Sequence, residues 1–180
     1  MMFTGEAKYS REENLKLRAL LDVLNIQVTE KLREEMSGIY GGGFFGSIIK
    51  RPYEHYTITA SMPCGPENVG KLTTALINLI KNAQQKGVAV KDLEKVKETM
   101  KKTYKTNVQN NEYWLSNLSN DWINRLNSED MLTYEKRVQA LTVDDLKKTA
   151  QRYLNLNNYV KAVLYPEGAK VAETKPVKTF

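Results

Sequence analysis

Tyr56-Thr57-Ile58-Thr59-Ala60-Ser61-Met62 alternates large or β-branched residues with small or polar ones, the period-two pattern of a strand with one buried face. Just upstream, Gly41 to Ile49 is rich in Gly, Phe and Ile and reads as a second strand, with Lys50-Arg51-Pro52-Tyr53 as the turn between them. Strands joined by so short a connection pair antiparallel, because a parallel pair needs a crossover of a dozen or more residues.

Helices flank this pair. Ser10-Arg11-Glu12-Glu13 spells a capping box, in which the serine oxygen takes an orphan amide of the first turn and Glu13 reaches back to the cap. Leu17, Leu20, Leu21, Leu24, Val28 and Leu32 follow at spacings of three and four, one apolar stripe that must pack on a sheet or another helix, and Gly38 is the expected stop. Downstream, Pro66-Glu67 suits the first turn of a helix that runs to about Lys86 and is closed by Gly87. Asp92 is expected to cap a helix through Val108, a further helix spans Glu112 to Leu126, and Thr142-Val143-Asp144-Asp145 opens a short one ending at Tyr153. Tyr159 to Tyr165 is expected to be a last strand, stopped by Pro166. Neighbouring strands followed by grouped helices predict α+β: an antiparallel sheet covered on one side by helices. We read one domain over residues 1–167 and a weakly ordered tail over 168–180.

The chain has 180 residues, 41% of them hydrophobic, enough for one packed core. Charged residues interrupt every apolar segment before it reaches the roughly 18 residues of a membrane span. The start, Met1-Met2-Phe3-Thr4-Gly5-Glu6, has neither the basic nor the apolar region of a secretory signal. With a helix opening at Ser10, little chain remains for a leading strand, so the first residue is expected to fall inside a longer protein.

A formal charge of +6 raises the question of an acidic partner such as nucleic acid or anionic lipid. The cations are interleaved with acids, as in Lys91-Asp92-Leu93-Glu94-Lys95-Val96-Lys97-Glu98, which is the pattern of a solvated helix face rather than a binding footprint. Cys64 is the single cysteine, so no intrachain disulfide forms, and it reads as a small residue at a strand end.

Catalytic motifs are missing. A zinc hydrolase needs about three protein ligands, and His55 is the one histidine, so neither H-E-x-x-H nor its inverted form exists. Gly41-Gly42-Gly43 precedes a strand and no Gly-Lys-Ser/Thr follows, which removes the phosphate-loop reading. No G-x-S-x-G elbow is present. We therefore assign no catalytic and no metal-binding residue to this chain.

One constellation remains: Leu32-Arg33-Glu34-Glu35-Met36-Ser37-Gly38-Ile39-Tyr40-Gly41 places an arginine near a helix end and a tyrosine at the start of a strand. On its own this is also what the helix dipole and an ordinary strand residue would produce. The stretch resembles the Leu-Arg-x-x-x-x-x-x-Tyr segment in the C-terminal half of bacterial pitrilysin/insulinase-type zinc metallopeptidases. The preceding helix, the Tyr56-to-Pro66 strand and turn, Asn111-Glu112-Tyr113-Trp114 and Val163-Leu164-Tyr165-Pro166-Glu167 are similar as well, so the resemblance covers most of residues 3–167.

The resemblance implies a pitrilysin/mitochondrial-processing-peptidase-like half-domain, non-catalytic, facing a zinc-bearing N-terminal half across a substrate chamber, with zinc held by that other half alone. Arg33 and Tyr40 would reach across to peptide substrate and transition state. The alternative within the same fold is a catalytically silent structural or assembly subunit. The family's C-terminal half opens with further strands, which this chain is expected to lack. An unpaired sheet edge would follow, and with it self-association into a homo-oligomer. Light scattering on concentrated protein should therefore give a mass above that of one chain; a monomer at every concentration would contradict this.

Overall fold

The computed structural model describes residues 1–30 and 41–168. The sheet has three antiparallel strands in the order β1-β3-β2: β1 (Met2–Glu6), β2 (Gly43–Ile49) and β3 (His55–Ser61). Among the described residues the α-helices are α1 (Arg11–Gln27), α2 (Val69–Lys86), α3 (Val90–Asn107), α4 (Asn111–Asn124), α5 (Tyr134–Ala140) and α6 (Val143–Tyr153). This is the α+β architecture expected from the sequence.

The register sets the buried face. Phe3 stands opposite Ile58, Phe44 opposite Ala60, and Ile48 opposite Tyr56, and all six of these side chains are buried. They meet Leu17, Leu20 and Leu24 of α1, each fully buried and each contributing roughly 1.5–3 kcal/mol by leaving water. Burial on α1 exceeds a single stripe, since Leu15, Ala19, Leu21 and Val23 are covered too. The helix packs on β2, α3 and α6 at once.

Four expectations require correction. Met2–Glu6 is a strand paired with β3, so a leading strand is present; five residues suffice because extended backbone rises about 3.4 Å per residue. Tyr159–Tyr165 is not a strand. Val160 exchanges two hydrogen bonds with Met2, of 2.8 and 2.9 Å. In that antiparallel register the residues after Val160 run past the first residue of β1, and Leu164 is 99% exposed. Asp92 does not cap α3, which begins at Val90 after Ala89; the carboxylate is buried inside the first turn, 3.5 Å from Gln27 Nε2. Finally, the capping box at Ser10 is half formed. Ser10 Oγ accepts from Glu13 N at 2.9 Å, but the Glu13 carboxylate turns to α6, accepting from Tyr153 Oη at 2.9 Å and Arg152 Nη1 at 3.1 Å.

Helix α5 and the turn before it, Ser128–Thr133, have no counterpart in the expected order. Their buried residues are Met131 and Val138, and the residue that closes α5, Leu141, is buried as well. The complete capping box lies at α6: Thr142 Oγ1 accepts from Asp145 N, and the Asp145 carboxylate accepts from Thr142 N. The expected tail, apart from Gly168, and Gly38 lie outside the described residues.

Burial, reinforced by the bond to Glu13, pushes the Tyr153 phenol up to about 12. The folded state thus holds a proton that the unfolded chain releases near pH 10. Stability from this contact is complete below about pH 10 and is lost as pH rises through 12. Urea unfolding of Tyr153→Phe should therefore show a shallower loss of stability above about pH 10 than the parent chain; identical slopes would remove Tyr153 from the account.

Candidate functional site

A groove of about 670 Å³ lies between α1, the outer edge of β2, α3 and α4. Its floor follows from the spacing of polar residues on α1. Asn14, Arg18, Asp22 and Asn25 recur every three or four residues, so they share the face that looks at β2.

The two asparagines are fastened to the strand. Asn25 Nδ2 donates to the Phe44 carbonyl at 3.0 Å and Asn25 Oδ1 accepts from Phe44 N at 2.6 Å. Asn14 does the same for Ile48, with both bonds at 2.9 Å. Each amide thereby supplies the donor and the acceptor that a neighbouring strand would offer. Between them, Arg18 Nε lies 4.0 Å from an Asp22 oxygen, and burial raises the Asp22 carboxyl above its ordinary value, against the pull of Arg18.

The opposite wall is aromatic. Tyr104 stacks on Tyr134 with ring centres 5.0 Å apart and meets Tyr113 edge-on at 6.3 Å. Burial raises the phenols of Tyr113 and Tyr134, so they stay neutral donors at physiological pH. Arg11 pairs with Asp121, whose side chain is 1% exposed, and this ion pair ties α4 to α1. Elsewhere α4 is lightly held: Lys50 Nζ donates to the Asn124 carbonyl at 2.8 Å, and Trp122 is 86% exposed.

The described lining of the groove offers phenols and two Arg–Asp pairs, Arg11–Asp121 and Arg18–Asp22. Among the described residues, no three His, Cys, Asp or Glu side chains converge to hold a metal ion. His55 sits at the start of β3, its Nδ1 2.8 Å from the Tyr53 carbonyl and its ring against Tyr53, with no second ligand. A zinc ion does not fit the described residues. Cys64 is partly buried, and burial followed by the Glu67 carboxylate pushes its thiol up, away from a reactive thiolate.

Arg33 and Tyr40 lie outside the described residues. In the sequence they fall between the last residue of α1 and the first of β2. Sequence reading passed over Asn14 and Asn25. Their signal was two amide residues on the otherwise charged polar face of α1, where propensity alone favours Glu, Lys or Gln.

Loss of Arg11 would leave Asp121 as an uncompensated buried charge, a cost of about 3–5 kcal/mol. Arg11→Ala is therefore expected to release α4 selectively: hydrogen exchange should accelerate across Asn111–Asn124 while α1 and the sheet stay protected. Uniform acceleration would mean that the pair supports the whole domain instead.

The family described as peptidase M16 inactive domain matches residues 1–100 of the 180-residue chain. No curated protein matches the sequence. Among solved structures, a protease from Helicobacter pylori superimposes with a TM-score of 0.68 at 15% identity, over 86% of this chain and 37% of that one. The periplasmic protease PqqL from Escherichia coli gives 0.70 at 15% identity, over 85% of this chain and 17% of that one. A putative zinc protease from Bordetella pertussis Tohama I gives 0.64 at 16% identity, over 89% and 91%. This chain thus spans about a third of the Helicobacter protein and about a sixth of PqqL. The structural likenesses establish the fold, and the match over more than half of the sequence establishes that this chain belongs to the peptidase M16 inactive-domain family.

Proposed function

We propose that the chain is the non-catalytic C-terminal domain of a zinc-dependent endopeptidase, closing a substrate chamber against a zinc-bearing half. The observation that carries this reading is the family match over residues 1–100, which contains both Arg33 and Tyr40. The zinc and its ligands belong to the other half, on the same polypeptide or on a partner subunit, and this chain's part is to bind and orient.

Arg33 and Tyr40 are the groups through which it does so. Hydrolysis of a peptide places negative charge on the carbonyl oxygen, and a guanidinium and a phenol can each donate a hydrogen bond to that oxygen or to a neighbouring peptide carbonyl. Donors fixed in advance favour the charged state over the ground state, which is the condition for acceleration. The chain's excess of cations gives the chamber a positive wall, which favours acidic peptides.

A catalytically silent assembly subunit is the second reading, and the outer face of α4 favours it. Leu115, Leu118 and Trp122 are exposed there, and Glu112 and Asp121 are the helix's two charged residues. Such a face suits protein contact.

The two readings separate in the enzyme assembled with its zinc-bearing half. Arg33→Ala and Tyr40→Phe should each lower kcat/KM for peptides by about 10²–10³, the usual cost of one transition-state donor, with the thermal midpoint unchanged. Unaltered turnover in both variants would sink the transition-state role and leave the assembly subunit.

A further inference from the structure

The aromatic end of the groove holds donors that the fold does not use. Tyr104 donates its hydroxyl to the Met131 carbonyl at 3.1 Å, and its ring meets those of Tyr113 and Tyr134. Tyr113 and Tyr134 are half-buried, and their hydroxyls make no hydrogen bond among the described residues; neither oxygen is buried, so both are open to what enters the groove. Arg137, on α5, lines the same groove. Its Nη2 donates to the Asp130 carbonyl at 2.7 Å, its Nε is buried with no partner, and no carboxylate pairs with it among the described residues. Both phenols feel its positive charge, so the three side chains form one cluster.

Charge selects the class of ligand. Three arginines and two aspartates line the groove. Arg11 is paired with Asp121 and Arg18 with Asp22, which leaves Arg137 as the surplus. Asp22 also acts on Tyr134, but Arg18 Nε stands 4.0 Å from it and offsets its charge. One fixed positive charge flanked by neutral phenols matches a monoanion. A carboxylate has two coplanar oxygens that suit the planar fork of a guanidinium, with lone pairs left over for phenol hydroxyls. A phosphate dianion would leave a net negative charge in a partly desolvated groove, which is costly. A volume of about 670 Å³ suits a ligand larger than a lone ion.

We propose that Arg137, Tyr113 and Tyr134 form a binding site for a carboxylate carried by a peptide, on an acidic side chain or at the peptide's C-terminus. Arg137 supplies the charge, and the two phenols donate to the same carboxylate. Tyr104 is a positioning residue, since its ring packs against both phenols while its own hydroxyl is engaged. The Arg11–Asp121 pair holds α4, and with it Tyr113, against α1. All the binding groups come from α4 and α5, and the backbone of β2 takes no part. The site gives the acidic-peptide preference of the proposed function an anchor and rests on that reading for its ligand, but it uses neither Arg33 nor Tyr40.

The test follows the Arg137 Nε–H resonance of the ¹⁵N-labelled 180-residue chain. The titrants are Gly-Glu-Gly blocked at both ends, Gly-Gln-Gly blocked at both ends, Gly-Gln-Gly with a free C-terminus, and inorganic phosphate. Saturable movement with at least one of the two carboxylate peptides, and binding weaker by about tenfold or more for the fully blocked glutamine peptide, is the expected result. Binding of the glutamate peptide alone assigns the site to acidic side chains; binding of the free C-terminus alone assigns it to chain ends. Arg137→Gln should abolish the difference between the peptides, and Tyr113→Phe, which keeps the ring, should weaken carboxylate binding about three- to tenfold. Equal binding of all three peptides, saturation by phosphate at the same concentrations, or unchanged affinity in Tyr113→Phe would overturn the proposal. The readout is binding to this chain alone, so it stands or falls separately from turnover in the assembled enzyme.

Discussion

Helix α1 is buried around most of its circumference, and that burial dictates the duties of its polar side chains. A helix with one wet face leaves its charges in water at no cost. Here Leu15, Leu17, Ala19, Leu20, Leu21, Val23 and Leu24 are all covered, so the intervening polar groups lie at seams between elements. A polar group at a seam must find a partner or lose of the order of 1–3 kcal/mol. Asn14 and Asn25 find the edge of β2, Glu13 finds Tyr153 and Arg152 on α6, and Arg11 finds Asp121 on α4. The apolar side of α1 thus fills the core while its polar side fixes the positions of three neighbours.

This division explains what could be read in the sequence. The strand pair, the antiparallel sense and the helical cover were legible, because hydrophobic periodicity reports burial directly and Phe44, Ile48, Tyr56 and Ile58 fall on one face as their alternation requires. Helix starts with local chemistry were legible too, as at Thr142-Asp145. The Ser10 box misled for a tertiary reason. A carboxylate can return to its own cap for a local hydrogen bond, but Glu13 instead meets a buried phenol and an arginine from a segment 140 residues away.

Other features left weaker traces for identifiable reasons. β1 is short and includes Gly5, so its pairing rests on β3 lying alongside rather than on strand propensity. Tyr159 to Tyr165 has the composition of a strand, yet a strand requires a neighbour, and the register places one at Val160 alone. Composition reports what a segment would accept; it cannot report whether a partner backbone is there. The groove follows the same rule. No motif marks it, because its parts come from α1, β2, α3 and α4 and meet only after folding, whereas Arg33 and Tyr40 stood out through resemblance over a contiguous stretch.

The choice of asparagine on α1 has a further consequence for the sheet edge. An exposed edge strand templates unwanted pairing, and side chains are the usual means of blunting it. A carboxylate could accept from Phe44 N but would face the Phe44 carbonyl with no donor, and a lysine would fail in the opposite sense. The primary amide satisfies both groups at once, and it does so at Asn14 and again at Asn25. Eleven residues of helix rise about 16 Å, while the four residues from Phe44 to Ile48 span about 13 Å, so the two clamps hold α1 and β2 nearly alongside each other. That geometry guards two of the three outward-facing residues and leaves Gly46 between them. A single open residue is too little to seed a second strand.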